Sequence, residues 1–301
     1  MFKIIFLNII ITFLFAEHLI TPIPIKISYN KEKALLGKEL FWEKKLSPDQ
    51  NMACIDCHNL LSNKLEKKKL LNKEKKLILS TPTVLNAIYN YKYFWDGRVG
   101  SLEEQVKETL TSGFLAKGKK KTFMSLLEAK YKNKFEKIYK DGYLFKNIVN
   151  ALVEFQKVLV TPNSKFDRYL RGDKLALSED ELTGYEIFKT RGCIACHNGV
   201  NLGTNSYSKL KIVSAYKGCY GKIKNTQKYL FLKVPSLRNV SLKGSYFHDS
   251  SIVKLEDAIQ GASTLALKRR LTIEDIGYLV LFLKTFTGDK PEILKEMINV
   301  K

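Results

Sequence analysis

Histidine and methionine are scarce in this chain of 301 residues, with four of each. Beyond residue 15 there is no apolar run near the roughly 20 residues that a membrane-spanning helix takes, which excludes an internal span. No stretch alternates apolar and polar residues over several strands joined by hairpin turns, which excludes an all-β fold. Five cysteines leave at least one without a partner, so a complete disulfide framework is excluded as well. Nor do basic residues gather with aromatics on a nucleic-acid-binding module, and no nucleic acid partner is expected.

What is present is a globular composition, 45% hydrophobic and 11% aromatic, long enough for one large domain or two of ordinary size. The formal charge of +21 is spread along the whole chain, which reads as a lysine-biased solvated surface, the alternative being steering of an acidic redox partner or membrane surface. Met1-Phe2-Lys3 followed by the apolar run Ile4 to Phe15 reads as a secretory signal peptide, residues 1–16, or as an uncleaved anchor. In either case the rest of the chain is expected outside the cytoplasm.

Four cysteines fall into two copies of one pattern, Cys54-Ile55-Asp56-Cys57-His58 and Cys193-Ile194-Ala195-Cys196-His197. C-x-x-C-H is the attachment signature of c-type haem: two nearby thiols add to the two vinyl groups of one porphyrin, and the following His ligates iron. A thioredoxin-like redox pair would not need the His, and a structural zinc site would need all four thiols together. The surroundings repeat too. Gly37-Lys38-Glu39-Leu40-Phe41 answers Gly184-Tyr185-Glu186-Ile187-Phe188, and Pro82 to Asn86 answers Pro235 to Asn239. Tyr93-Phe94-Trp95-Asp96-Gly97 answers Tyr246-Phe247-His248-Asp249-Ser250, and Leu102-Glu103-Glu104 answers Leu255-Glu256-Asp257, both at one offset (246 − 93 = 153). This is the pattern of a duplicated domain.

Between the motifs the chain reads as helical. Ser178 with Glu181 forms a capping box for a helix carrying Leu182, Tyr185 and Phe188 on one face, closed by Gly192 just before Cys193. Ser101 with Glu104 caps another, Phe123 to Tyr139 and Leu144 to Val160 are helices ended by Gly142 and Pro162, and Thr272 opens the final one. The fold class is therefore all-α. A boundary is expected near Pro162 to Lys174, giving an N-terminal domain over 17–165 and a C-terminal domain over 166–301.

The motif series, with Phe94-Trp95-Asp96-Gly97-Arg98, Phe166-Asp167-Arg168-Tyr169-Leu170-Arg171-Gly172 and Val234-Pro235-Ser236-Leu237-Arg238-Asn239, resembles the bacterial di-haem cytochrome c peroxidases and their MauG-like relatives over nearly the whole chain. The resemblance implies two cytochrome c-like domains, each with one covalent haem c, the first peroxidatic and the second electron-transferring. It further implies reduction of hydrogen peroxide to water in the periplasm, with electrons from a small cytochrome or copper protein, and allows a homodimer. His58 and His197 become the proximal iron ligands. Trp95 takes the place of the family's electron-conducting Trp between the haems, the alternative being a buried core indole. Gln105 takes the place of the distal Gln, and Asn86 that of a calcium ligand with the carbonyls of Lys243 and Ser245, the alternative being a hydrogen-bonded loop Asn.

The sequence departs from the family at three places. The distal acid falls at Leu115, which cannot move a proton; Glu108, one turn from Gln105, is the substitute or a solvated helix residue. The loop 59–80 has no His to serve as a mobile sixth ligand, and Lys73 or Lys75 would first have to lose a proton. The Met that caps the second haem is replaced by Ala262, leaving that haem five-coordinate, water-ligated or capped by a tyrosine such as Tyr246 or Tyr278. Alternatives to the peroxidase are therefore a di-haem electron carrier or sensor, and a MauG-like oxidase of a protein residue. Cys219 reads as a free loop thiol.

Overall fold

The computed structural model describes residues 19–47, 49–60, 69–71, 77–111, 120–211 and 229–295. The expected signal, the stretches 61–68 and 72–76, Leu115 and Cys219 lie outside the described residues. In chain order the elements are α1 (Lys31–Phe41), a single helical turn at Cys54–Cys57, β1 (Lys69–Leu71), β2 (Leu77–Ser80), α2 (Leu102–Thr111), α3 (Lys120–Ile138), α4 (Phe145–Lys157), α5 (Lys165–Leu170), α6 (Glu179–Thr190), β3 (Tyr207–Lys211), β4 (Tyr229–Lys233), α7 (Leu255–Ala262) and α8 (Ile273–Lys284). A π-helical turn, Ser263–Leu267, continues α7, and a last turn, Glu292–Lys295, follows α8.

The fold is helix-rich, but the all-α expectation needs correcting for two antiparallel hairpins, β1–β2 and β3–β4. Each strand has three to five residues, and the partners of β3–β4 are separated by 17 intervening positions (212 to 228), so no short turn signal marks them. Two helix ends also differ. The Thr272 helix is not the last, and α4 stops at Lys157, short of Pro162, because the Leu159 carbonyl accepts from Asn86 N and the Thr161 amide donates to Asn86 Oδ1.

The expected caps form as the sequence demands. Ser178 Oγ accepts from Glu181 N while the Glu181 carboxylate accepts from Ser178 N, and Thr272 Oγ1 accepts from Asp275 N. On α3 the stripe Phe123, Leu127, Tyr131 and Phe135 is buried at four-residue spacing, as one helix face requires. Two helix crossings depend on a missing Cβ: a side chain at Gly37 would overlap the Ala151 carbonyl, and one at Gly184 would overlap the Tyr278 carbonyl. α1 thereby packs on α4, and α6 on α8, at backbone contact distance.

Two hydrophobic cores result. The first runs from Ala34 to Leu159 and takes in Ile293 and Leu294 from the C-terminal end. The second runs from Phe166 to Phe286, with Phe166, Tyr185, Phe188, Phe282 and Phe286 in mutual ring contact, and takes in Ile20 from the N-terminal end. Each end of the chain thus closes over the other half. Ile23 N donates to Asp167 Oδ1 at 3.0 Å, Asp167 pairs with Arg238 at 2.8 Å with both side chains almost wholly buried, and Arg238 Nη2 donates to the Thr21 carbonyl. At the other end Lys38 Nζ donates to the Ile293 carbonyl.

Local devices recur at the spacing the motifs give. Tyr93 bridges Val99 and donates its hydroxyl to the Ala87 carbonyl; Tyr246 bridges Ile252 and donates to the Val240 carbonyl. Asn86 and Asn239 have φ of 59° and 57°, Phe94 and Phe247 of 62° and 64°.

Candidate functional site

The first C-x-x-C-H site lies on the helical turn Cys54–Cys57, whose Ala53 amide donates to Asp56 Oδ2. Burial, with Cys57 and Asp56 adding to it, pushes the Cys54 thiol up to about 12. Burial likewise takes His58 down to about 4, so its ring is neutral and able to donate a lone pair to a metal. His58 packs 6.1 Å from the Phe41 ring, and its Nδ1 makes no hydrogen bond of ordinary geometry, although the Pro82 backbone is near enough to favour its protonation.

The second site follows α6 directly, with Gly192 at φ 90° turning the chain into Cys193. Burial raises the Cys193 thiol and holds His197 at about 4. His197 Nδ1 lies 3.1 Å from the Leu202 carbonyl, which can only accept. The proton therefore sits on Nδ1, and Nε2 keeps its lone pair for a ligand.

These properties discriminate among the chemistries that C-x-x-C-H allows. The cysteines of both pairs form no disulfide, and the raised thiols contrast with the lowered ones that a redox pair needs. Among the described residues no three His, Cys, Asp or Glu converge as a zinc site would require. Two thiols and a neutral imidazole are a set that fits covalent haem: Cys54, Cys57 and His58 would hold one, and Cys193, Cys196 and His197, with its proton on Nδ1, another.

The structure brings Trp95 and its motif counterpart His248 together, edge to face with ring centroids 6.3 Å apart. Trp95 Nε1 donates to the Ser80 carbonyl at 2.8 Å, and reciprocal backbone bonds frame the pair: Ser80 N to the His248 carbonyl, Lys233 N to the Trp95 carbonyl. The two bonds correspond under the motif offset, Lys233 answering Ser80 (233 − 80 = 153) and His248 answering Trp95 (248 − 95 = 153). Burial lowers the pKa of His248, partly opposed by Asp249. The junction residues between the two halves are thus one from each copy of the Tyr-Phe-x-Asp motif.

Gln105 lies on α2, on a half-buried polar flank with Glu108 and Thr109, and its amide donates to Thr109 Oγ1 at 3.0 Å. Glu108 is ion-paired: Arg98 Nε donates to it at 2.8 Å while the same guanidinium holds Asp96 and stacks 3.6 Å from the Phe94 ring centroid. Asn86 is fully buried, with Nδ2 donating to Thr161 Oγ1 and Oδ1 accepting from Thr161 N, each at 2.8 Å. Both side-chain atoms of Asn86 thus hold Thr161, the hydrogen-bonded loop Asn that the sequence offers as the alternative to a calcium ligand. The Tyr246 hydroxyl is likewise committed to Val240 O, and Ala262 ends α7 where the π-helical turn begins.

Thr161 and Lys233 were not marked by the sequence. Thr161 Oγ1 accepts from both Asn86 and Asn239, at 2.8 Å each, joining the two halves at a buried point. The signal for Lys233 was its position 153 after Ser80 (233 − 80 = 153), but a hairpin partner is needed before that spacing means contact.

Known proteins place this architecture. The family model for di-haem cytochrome c peroxidase matches residues 31–175. A cytochrome c551 peroxidase of Nitrosomonas europaea is 36% identical over 92% of this chain and 86% of its own length, and one of Pseudomonas aeruginosa is 31% identical over 92% and 87%. The methylamine utilization protein MauG of Methylophilus methylotrophus is 31% identical over 85% and 79%. A crystal structure of a MauG-like protein associated with microbial copper homeostasis shares the fold, with TM-score 0.71 over 89% of this chain and 93% of that one at 21% identity. With its paired attachment motifs and this degree of likeness, the chain belongs to the di-haem cytochrome c peroxidase and MauG-like family.

Proposed function

We propose that this protein is a periplasmic di-haem peroxidase that reduces hydrogen peroxide to water with electrons from a small cytochrome, and that its two halves are a duplicated pair, each bearing one covalent haem c. The observation that carries this reading is the pair of C-x-x-C-H sites with buried neutral histidines, joined through a junction where Trp95 meets His248. Relatives named cytochrome c peroxidase support it. When bound, the haem irons supply the redox centres, one for peroxide and one for the incoming electron.

The chain's residues supply the rest. Four thiols fix the position of the groups, and His197 is oriented by Leu202. Trp95 is immobilised by hydrogen bonds at its indole nitrogen and its carbonyl, as an electron conduit should be. Gln105 provides an amide able to hold a peroxide oxygen, and Arg98 holds Glu108 on the same flank of α2, where the carboxylate can carry a proton in place of the missing acid at Leu115. Peroxide-dependent oxidation of reduced cytochrome c by the holoprotein, measured in the steady state, tests this; a rate no higher than that of free haem would sink it.

A second reading, an electron carrier that kept the scaffold, draws on the commitment of Glu108 to Arg98 and on Ala262 in the place of Met. Electron paramagnetic resonance separates the two, since two low-spin irons with no open site would favour the carrier.

A further inference from the structure

Lys233 ends β4 directly behind the junction. Its amide donates to the Trp95 carbonyl, and in the β3–β4 ladder it pairs with Tyr207. Paired residues of an antiparallel ladder put their side chains on one face, and Leu232, on the other face, is buried. The shared face is turned toward the Trp95–Arg98 loop, because the Tyr207 hydroxyl occupies the place a side chain at Gly97 would need. Lys233 is half-buried there.

Among the described residues no carboxylate meets its ammonium. Asp96, the acid of the facing loop, is held by both oxygens on Arg98 Nη1. The segment joining the strands, 212–228, contains no Asp or Glu. Burial alone acts on Lys233, lowering it to about 8, with no opposing acid. A half-buried cation left in this state is destabilising unless an anion arrives from outside the polypeptide.

A c-type haem is fastened by its vinyl edge, so its carboxylate edge points away from the cysteine pair. We propose that the Lys233 ammonium is the built-in countercharge for a haem carboxylate at the junction of the two C-x-x-C-H sites. The proposal rests on the di-haem reading above. It accounts for a lysine beside Trp95 that no carboxylate meets among the described residues. Ser80 stands at the corresponding position of the first half, which therefore has no cation there.

Holoprotein of the wild type and of the K233M, K233Q and K233R variants tests it, with haem content read by pyridine haemochrome and midpoints by optical potentiometry. K233M and K233Q should keep both haems and shift at least one midpoint downward, because loss of a nearby positive charge favours the oxidised iron. K233R should restore the wild-type value. Unchanged midpoints in fully loaded K233M and K233Q would overturn the assignment of Lys233. Wild-type protein without covalent haem would instead remove the di-haem reading and the proposal with it.

Discussion

A single backbone carbonyl decides the chemistry of His197. Because Leu202 O can only accept, the imidazole is protonated at Nδ1, and its other nitrogen keeps its lone pair for a ligand. The residues proposed to attach haem could be marked from the sequence because the motif is local: two thiols and an imidazole within five positions are already neighbours. Asn86 was not legible in the same way, because its partner Thr161 lies 75 residues away and only the fold brings them together. At this scale Trp95→Phe keeps the packed ring but loses the hydrogen bond to Ser80 O. It should leave haem attachment intact and slow peroxide turnover by on the order of tenfold, about 1.4 kcal/mol in barrier, in steady-state assays. Thr161→Val strands two buried amides and should lower unfolding free energy by about 1–3 kcal/mol for each one left unsatisfied, measured by denaturant titration.

Helices were more legible than strands. Capping boxes and four-residue stripes announce themselves within one turn, and Ser178, Thr272 and the α3 stripe do what their spacing demands. The hairpins are short and closed by distant pairing, so their signal is not local. The two helix crossings make a sharper test. In an isolated helix Gly→Ala stabilises by about 1 kcal/mol, but at Gly37 and Gly184 the new methyl would meet a carbonyl of the facing helix. Overpacking of this kind costs about 1–3 kcal/mol or more, so each alanine variant should lower the melting temperature rather than raise it.

Glu43 links the turn after α1 to α3. Burial alone would raise its pKa, but Lys130, the Lys45 amide and the Tyr131 hydroxyl outweigh it, and the net shift is downward. A carboxyl with a depressed folded pKa stabilises the fold at neutral pH, and that contribution is lost as pH falls from the ordinary carboxylate value through the folded one. Glu43→Gln should therefore lower stability at pH 7 and flatten the acid-induced loss below about pH 4.5, the ordinary value for glutamate, in denaturant titrations at both pH values.

At the scale of the molecule, the two halves are tied by exchanged ends and by a shared buried point. Ile20 packs in the second core, Ile293 and Leu294 in the first, and Thr161 takes hydrogen bonds from both loop asparagines. The repeat was visible in the sequence, while this interlocking was not, since hydrophobic residues near the ends carry no record of which core they join. The arrangement holds Trp95 against His248, one residue from each copy of the motif. The central claim is that each C-x-x-C-H site carries its own haem. Intact mass spectrometry of the exported protein, paired with the pyridine haemochrome spectrum, tests it most directly. The account predicts a mass increase of two haems on the wild type and of one on Cys57→Ser with Cys54→Ser or on Cys196→Ser with Cys193→Ser; a wild-type mass with no haem, or with one that survives loss of both cysteines at either site, would contradict it.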